Sequence, residues 1–152
     1  MSVYDGVTHS RLKAINLEAD NLSVTNRSVV YNTRQRFTIA QVNAGATLVA
    51  AVTGKAIRMV SCKAISVGGA ASAVTTVDIL GTSTTSRKLV AFAQASLTQS
   101  TVLTDGGSGA TVLADGASYT ANDAGTAVTI SKTGSSVATA THIDVVFSYV
   151  LE

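Results

Sequence analysis

The chain has 152 residues with an unusual composition: 46% are hydrophobic, but only 5% are aromatic and 13% are charged. A soluble domain usually has about 25% charged residues, and helical surfaces need the Glu, Lys, Arg and Gln that are scarce here. Thr and Val instead suit a pleated, half-buried surface, so the composition predicts β structure. The net charge of +2 is too small to predict binding to nucleic acid or an anionic membrane. No apolar run reaches the roughly 18 residues that would predict a membrane span.

The first 35 residues differ from the rest and predict an N-terminal arm, extended or partly helical. Positions 1–36 carry five basic residues against three acidic ones, whereas positions 37–152 carry six of each sign. Leu12, Ile15, Ala19 and Leu22 fall at helical spacing, while the following LSVTNRSVVYNT favours extended structure. The first residues show no apolar stretch behind a basic one, which predicts synthesis in a cytoplasm without a secretory signal. The net positive charge of the arm favours docking on an acidic or mixed surface.

From residue 36 the sequence predicts roughly eight strands separated by turns rich in small and polar residues. A loop rich in Gly at 105–109 predicts a hairpin, because glycine accepts positive φ, and further turns are predicted at 122–125 and 134–136. In the run 55–67, Ile57, Met59, Ile65 and Val67 are predicted to share one face, opposite Arg58, Val60 and Cys62. The strand-like runs, of which roughly eight are expected to be separate strands because several are short, are 36–42, 46–52, 55–67, 73–80, 87–93, 100–104, 110–114, 117–121, 126–132 and 141–152.

This spacing without intervening helices predicts an all-β fold, an antiparallel β-sandwich of jelly-roll type spanning residues 36–152. An immunoglobulin-like sandwich fits the spacing as well, but the Cys and Trp that mark true immunoglobulin domains are missing. In the last strand, Ile143 to Leu151 alternate, which predicts that Phe147 is among the most buried residues. Proline is absent, so strand edges are expected to be covered by the arm or by a neighbouring subunit.

The residue types needed for catalysis are nearly absent, and the chain is predicted not to be an enzyme. His142 and Asp144 share a strand face, but such a pair more often lies in solvent than beside a nucleophile. Cys62 is the only cysteine and lies in a strand-like run, which predicts a buried, inert thiol. A glycoside hydrolase would need a suitably placed carboxylate pair, and the acidic residues after the arm lie mostly in turns.

No cofactor is predicted, and one metal question stays open. Asp105, Asp115 and Asp123 lie in or beside turns, where oxygen ligands suit calcium, although their spacing matches neither an EF-hand nor a nonapeptide calcium repeat. Whether these loops bind calcium or glycan is not decided by the sequence. The nearest approach to a nucleic-acid surface is Tyr31, Arg34, Arg36 and Phe37, which is better explained as the junction between arm and sandwich.

Three features carry a resemblance to a family: a polar arm, INLEADNLSVTN; a β module rich in Gly, Ala, Ser and Thr; and the closing strand HIDVVFSYVLE. The chain resembles the capsid decoration or cement proteins of tailed bacteriophages, small virion proteins with jelly-roll-like folds. The resemblance implies a homotrimer on the outer surface of a capsid, with arms reaching over the major capsid protein. A homodimer is the second choice of oligomer.

On this interpretation the arm anchors the protein through basic and apolar side chains. The alternative is a tail-fibre, spike or adhesin module that binds carbohydrate of the host surface, for which exposed aromatic platforms are expected. The predicted partner-binding residues are Arg11, Leu12, Lys13, Ile15, Leu17, Leu22, Arg27 and Arg34.

Overall fold

The computed structural model describes residues 29–83, 85–105 and 121–152, which contain eight β-strands and one short helix. The strands are antiparallel and form two four-stranded sheets, which confirms the predicted all-β sandwich. In chain order the elements are β1 (Tyr31–Thr38), α1 (Ile39–Ala44), β2 (Ala46–Val49), β3 (Ile57–Val67), β4 (Ala71–Ser83), β5 (Thr85–Ala93), β6 (Leu103–Thr104), β7 (Val128–Thr139) and β8 (His142–Leu151).

The strand order is that of a jelly roll. The first sheet has the order β1-β8-β3-β6 and the second the order β2-β7-β4-β5. Strands from the two ends of the chain therefore pair inward in turn: β1 with β8, β2 with β7, β3 with β6 and β4 with β5. Pairing of β8 with β3 and of β7 with β4 rolls this long hairpin into two sheets.

The hydrophobic core lies between the two sheets. Ile143, Val145 and Phe147 of β8 are fully buried, which confirms the alternation predicted for the last strand, while Tyr149 and Leu151 are half-buried. Val150, which the alternation places on the opposite face, is also buried. The other large side chains with almost no exposure are Phe92, Leu48, Ile57, Ile79, Leu89, Leu97 and Ile130.

The faces predicted for β3 are correct as far as Val60 and wrong after it. The pairing of β3 with β8 shifts register between Met59 and Ser61, so Val60 bulges and the inward and outward positions exchange. Cys62 and Ala64 consequently point into the core, while Ile65 and Val67 are half-buried on the outer side.

The strand predicted over residues 36–42 ends at Thr38 and is followed by helix α1. Thr38 caps this helix: its hydroxyl accepts a hydrogen bond from the Gln41 backbone N–H at 3.3 Å, and the Gln41 side chain accepts one from the Thr38 N–H at 2.8 Å. This reciprocal capping outweighs the short alternation of the sequence. Val42 on the helix is fully buried, so α1 closes one edge of the sandwich where the chain crosses from β1 to β2.

Strand β1 begins at Tyr31, before the boundary predicted between residues 35 and 36. Its pairing with β8 runs without irregularity from Tyr31 opposite Tyr149 to Thr38 opposite His142. Residues 31–35 therefore belong to the first sheet, and any truncation that preserves the fold must leave them in place. The segment 1–28 lies outside the described residues.

The turn predicted at residues 134–136 is a strand irregularity instead, because β7 continues to Thr139 with register shifts against β4. Gly134 has φ +87°, and a Cβ there would lie 2.6 Å from the Thr75 hydroxyl, so the glycine permits a close strand approach. The turn at 122–125 is present, with Gly125 at φ +73°. The hairpin predicted around 105–109, and the strands predicted at 110–114 and 117–121, lie almost wholly outside the described residues.

Candidate interaction surface

Exposed apolar side chains gather on one sheet of the sandwich. Among the described residues, all the large hydrophobic side chains with high exposure lie on the first sheet or directly before one of its strands. Exposed apolar side chains on a charge-poor domain are typical of an interaction surface where they lie side by side, as Val102 and Val146 do. These side chains are Val29, Val30, Tyr31, Val60, Val102 and Val146.

The outer face of the first sheet holds an open depression with a volume of about 230 Å³. Strand pairing places Val146 of β8 between Arg34 of β1 and Lys63 of β3, and Val102 precedes β6. Ile65, Val102 and Val146 supply the apolar lining, while Arg34, Lys63 and Asp144 supply the polar part. A cavity of about 150 Å³ is enough to bind benzene, so this depression has room for an aliphatic side chain.

Two cations of this face form no ion pair among the described residues, although the charge of Arg34 also acts on Asp144. Arg36 holds both oxygens of Asp144, with Nε–Oδ1 at 2.7 Å and Nη2–Oδ2 at 2.8 Å, and Arg58 pairs with Glu152 at 2.8 Å. Within the described part of the chain, no carboxylate lies within ion-pair distance of Arg34 or Lys63. Both side chains are exposed, so the depression presents two available positive charges beside an apolar lining.

Asp144 is fixed as a structural anion at the edge of this depression. The hydrogen bonds from Arg36 lower the pKa of the Asp144 carboxyl, partial burial opposes that change, and the charges of Arg36, Arg34 and His142 lower the pKa further. Because the pKa falls on folding, the stabilisation is complete above the unfolded value near 3.8 and is lost as the pH drops through the lower folded value.

We expect Arg36→Met to raise the pKa of Asp144 toward 3.8, because the main cause of its depression is removed. The measurement is the pH titration of the Asp144 side-chain carboxyl carbon by NMR in both proteins. The stability difference between wild type and variant should then disappear at the acid end of the titration. An unchanged midpoint would show that Arg36 does not hold the carboxylate in solution.

Only one of the predicted partner-binding residues lies within the described part of the chain. Arg34 lies on the outer face of β1 and lines the depression. The other predicted residues, Arg11, Leu12, Lys13, Ile15, Leu17, Leu22 and Arg27, lie outside the described residues.

Cys62, His142 and Asp144, the residues considered for catalysis, are buried or bonded to other side chains. Cys62 is fully buried, and burial together with the nearby Asp105 carboxylate raises the pKa of its thiol, so it stays protonated and unreactive. The Nδ1 atom of His142 lies 3.1 Å from the Thr141 hydroxyl, whereas both oxygens of Asp144 are taken by Arg36. His142 and Asp144 are therefore not arranged as a base and the group that orients it.

Asp105 has a structural role at the end of β6. Its Oδ1 accepts a hydrogen bond from the Cys62 N–H at 2.6 Å, and its own N–H donates to the Cys62 carbonyl at 2.7 Å. Asp115 lies outside the described residues. Within residues 29–83, 85–105 and 121–152, no three His, Cys, Asp or Glu side chains come together as a metal site. No helix in these same ranges has the length and apolar character of a membrane span.

Sequence reasoning did not identify Lys63, Val102 and Val146 as members of one surface. The outward position of Ile65 follows from the bulge in β3, and the depression is assembled from several strands that are distant in sequence. A local signal existed only for Val146, which stands on the outward face of the alternating strand 141–152.

The chain was compared with family models, curated proteins and solved structures, and none of them matches it.

Proposed function

We propose that this chain is a structural protein of a bacteriophage virion that decorates or cements the outer capsid surface as a homo-oligomer, a trimer in preference to a dimer. The observation that carries the proposal is the jelly-roll order of the eight strands, β1-β8-β3-β6 over β2-β7-β4-β5. Jelly rolls occur in viral capsid proteins, lectins and cupins. The fold alone does not distinguish a capsid protein from a lectin or a cupin, whereas the side chains that the fold exposes do.

The side chains favour a structural role over the chemistry of a cupin. In the described ranges, the clustered charges bind one another: Arg36 with Asp144, Arg58 with Glu152, and Lys88 with Asp78. What the fold presents to a partner is an apolar patch with two available cations on one sheet. A surface of this kind supports assembly between proteins rather than turnover of a substrate.

The arm is proposed as the anchor to the major capsid protein. Its basic side chains give salt-sensitive pairing, and Leu12, Ile15, Leu17 and Leu22 add apolar contact. Exposed ion pairs contribute only about 0.2–1 kcal/mol each. Most of the affinity therefore has to come from the apolar contacts and from several arms of one oligomer binding together.

The proposal is tested by co-sedimentation with undecorated shells, assembled from the major capsid protein that the same genome encodes. We expect the wild-type chain to sediment with the shells at moderate salt and to dissociate as the salt concentration rises. Arg11→Glu combined with Lys13→Glu should abolish binding, because both charges then repel an acidic surface. The mass of the free protein should stay unchanged, since these two positions are proposed to face the shell.

Lys55→Glu is the matched control, since Lys55 is an exposed cation in the loop before β3 and does not belong to the arm in sequence. Equal binding of the Arg11/Lys13 variant and wild type would show that this basic pair is not the anchor. Failure of the wild-type chain to bind the shells would contradict the capsid role itself.

One observation favours a second function, binding of host-surface carbohydrate. Tyr31 is 37% exposed and its ring stacks on Tyr149, with 5.4 Å between the centroids. An exposed aromatic ring that is held in place by a second ring behind it is typical of the surfaces on which sugar rings pack. Glycan binding that is lost in Tyr31→Ala, together with no binding to shells, would place this function first.

A further inference from the structure

The occupant of the depression on the first sheet can be inferred from the chain itself. The site offers an aliphatic lining from Ile65, Val102 and Val146, flanked by the available cations Arg34 and Lys63. It therefore fits a segment with aliphatic side chains, carboxylates and no basic residue. Such a segment would satisfy the two cations and cover part of the exposed apolar patch.

The arm contains a segment with this composition. Residues 15–22, INLEADNL, combine Ile15, Leu17 and Leu22 with Glu18 and Asp20, and contain no basic residue. They are thus acidic within an arm that is otherwise basic, with Arg11 and Lys13 before them and Arg27 after them. Although the arm as a whole is positively charged, the carboxylates of Glu18 and Asp20 are locally complementary to Arg34 and Lys63.

The connection is long enough for the segment to reach such a depression, and the homo-oligomer proposed above, on which this step rests, makes a neighbouring copy the acceptor. Residues 23–30 connect the segment to Tyr31 at the start of β1, which is an edge strand of the same sheet. Eight residues span up to about 26–29 Å when extended, while a four-stranded sheet is only about 15 Å across at a strand spacing of about 4.8 Å. The sequence of this connection, SVTNRSVV, has four β-branched residues and neither glycine nor proline, a composition that favours extended structure.

We propose that residues 15–22 of each copy dock in the depression between Arg34 and Lys63 on the first sheet of a neighbouring copy. Ile15 or Leu17 fills the apolar part, and Glu18 and Asp20 pair with the two cations. Each copy gives one segment and receives one, an exchange that a closed ring such as the proposed trimer satisfies at every copy. This exchange goes beyond the capsid role, because it concerns contact between copies: it assigns Ile15, Leu17 and Leu22 to a neighbouring copy and leaves Arg11, Leu12, Lys13 and Arg27 for a shell.

A charge-swap experiment on the full-length chain tests the exchange without any shell. The mass is measured by light scattering over a range of protein concentrations. Lys63→Glu alone and Glu18→Lys alone should each raise the concentration needed for assembly by about tenfold or more, since like charges then meet at every copy of the contact. The double variant Lys63→Glu/Glu18→Lys should assemble at a concentration close to that of wild type.

Lys63 is exposed, so its replacement is expected to leave the fold intact, which circular dichroism and thermal unfolding would verify. Val102→Glu supplies a second variant that tests the apolar lining, and Lys55→Glu is the control that should leave assembly unchanged. A monomeric wild type, assembly unaffected by both single reversals, or no recovery in the double variant would each overturn the proposal. Because no capsid takes part, these outcomes are independent of whether the chain binds a shell.

Discussion

Phe147→Ala is expected to lower the free energy of unfolding by about 3–5 kcal/mol, the usual cost of removing an aromatic side chain from a core. Phe147 is fully buried at the centre of β8, where it stands opposite Thr33 of β1 and Cys62 of β3. Its ring also lies against Tyr149, with 5.8 Å between the centroids. Truncation would open a cavity between the sheets, and the surrounding strands are held in register on both sides of β8. Equilibrium denaturation in urea measures the effect.

Thr47→Ala is the matched control for this measurement, since Thr47 is an exposed strand residue on β2 of the other sheet. Its replacement should change stability by no more than about 0.5–1 kcal/mol. A loss below about 1 kcal/mol for Phe147→Ala would contradict the packing of β8 against the second sheet. Since whole domains have stabilities of about 5–15 kcal/mol, the expected loss would be a large share of the total.

The fold class was predictable because it rests on local signals repeated along the chain. Alternation in residues 141–152 and turns at regular spacing gave the strands and the sandwich. The helix α1 was missed although its signal, Thr38 followed by Gln41 at the third position, is visible in the sequence. The alternation of Phe37 and Ile39 predicts a longer strand, but burial of Val42 in the core favours the helix.

Two features were not predictable from local sequence. The exchange of faces in β3 follows from a bulge at Val60, and a bulge is set by pairing with β8 rather than by a residue preference. The depression is formed by side chains from β1, β3, β8 and the approach to β6, and only the jelly-roll order brings these together. Arg34 was identified through the charge of the arm, but its neighbours Lys63 and Val146 could be found only from strand register.

The second sheet contains a buried carboxylate, Asp78, that forms an ion pair with the partly exposed Lys88. Asp78 of β4 is only 1% exposed; its Oδ2 accepts a hydrogen bond from the Thr133 hydroxyl at 2.6 Å and lies 3.2 Å from Nζ of Lys88. Lys88 also donates to the Thr133 hydroxyl at 2.7 Å, so the three side chains form one network. The other oxygen, Oδ1, has no hydrogen-bond partner among the described residues. The ammonium group is therefore the main compensation for burying this carboxylate.

Lys88→Met is expected to lower the free energy of unfolding by about 3 kcal/mol, because it leaves the Asp78 carboxylate buried without its counter-charge. This value lies at the low end for a broken buried pair, since the Lys88 side chain is 36% exposed and water can replace part of the interaction. Methionine keeps most of the aliphatic stem, so the loss reports on charge more than on packing. The measurement is urea denaturation at neutral pH, with Lys55→Met as the exposed control.

Adding Asp78→Asn to Lys88→Met should recover part of this loss, because a neutral amide costs less to bury and still accepts the hydrogen bond from Thr133. The double variant is therefore expected to be more stable than Lys88→Met alone, although it carries one more substitution. A double-mutant cycle over the two positions gives the coupling free energy directly. If Lys88→Met changes stability by less than about 0.5 kcal/mol, or if the second substitution only adds a further loss, the carboxylate does not depend on the ammonium group. In that case the hydroxyl of Thr133 and the neighbouring strand backbone must be enough to hold Asp78 in the sheet.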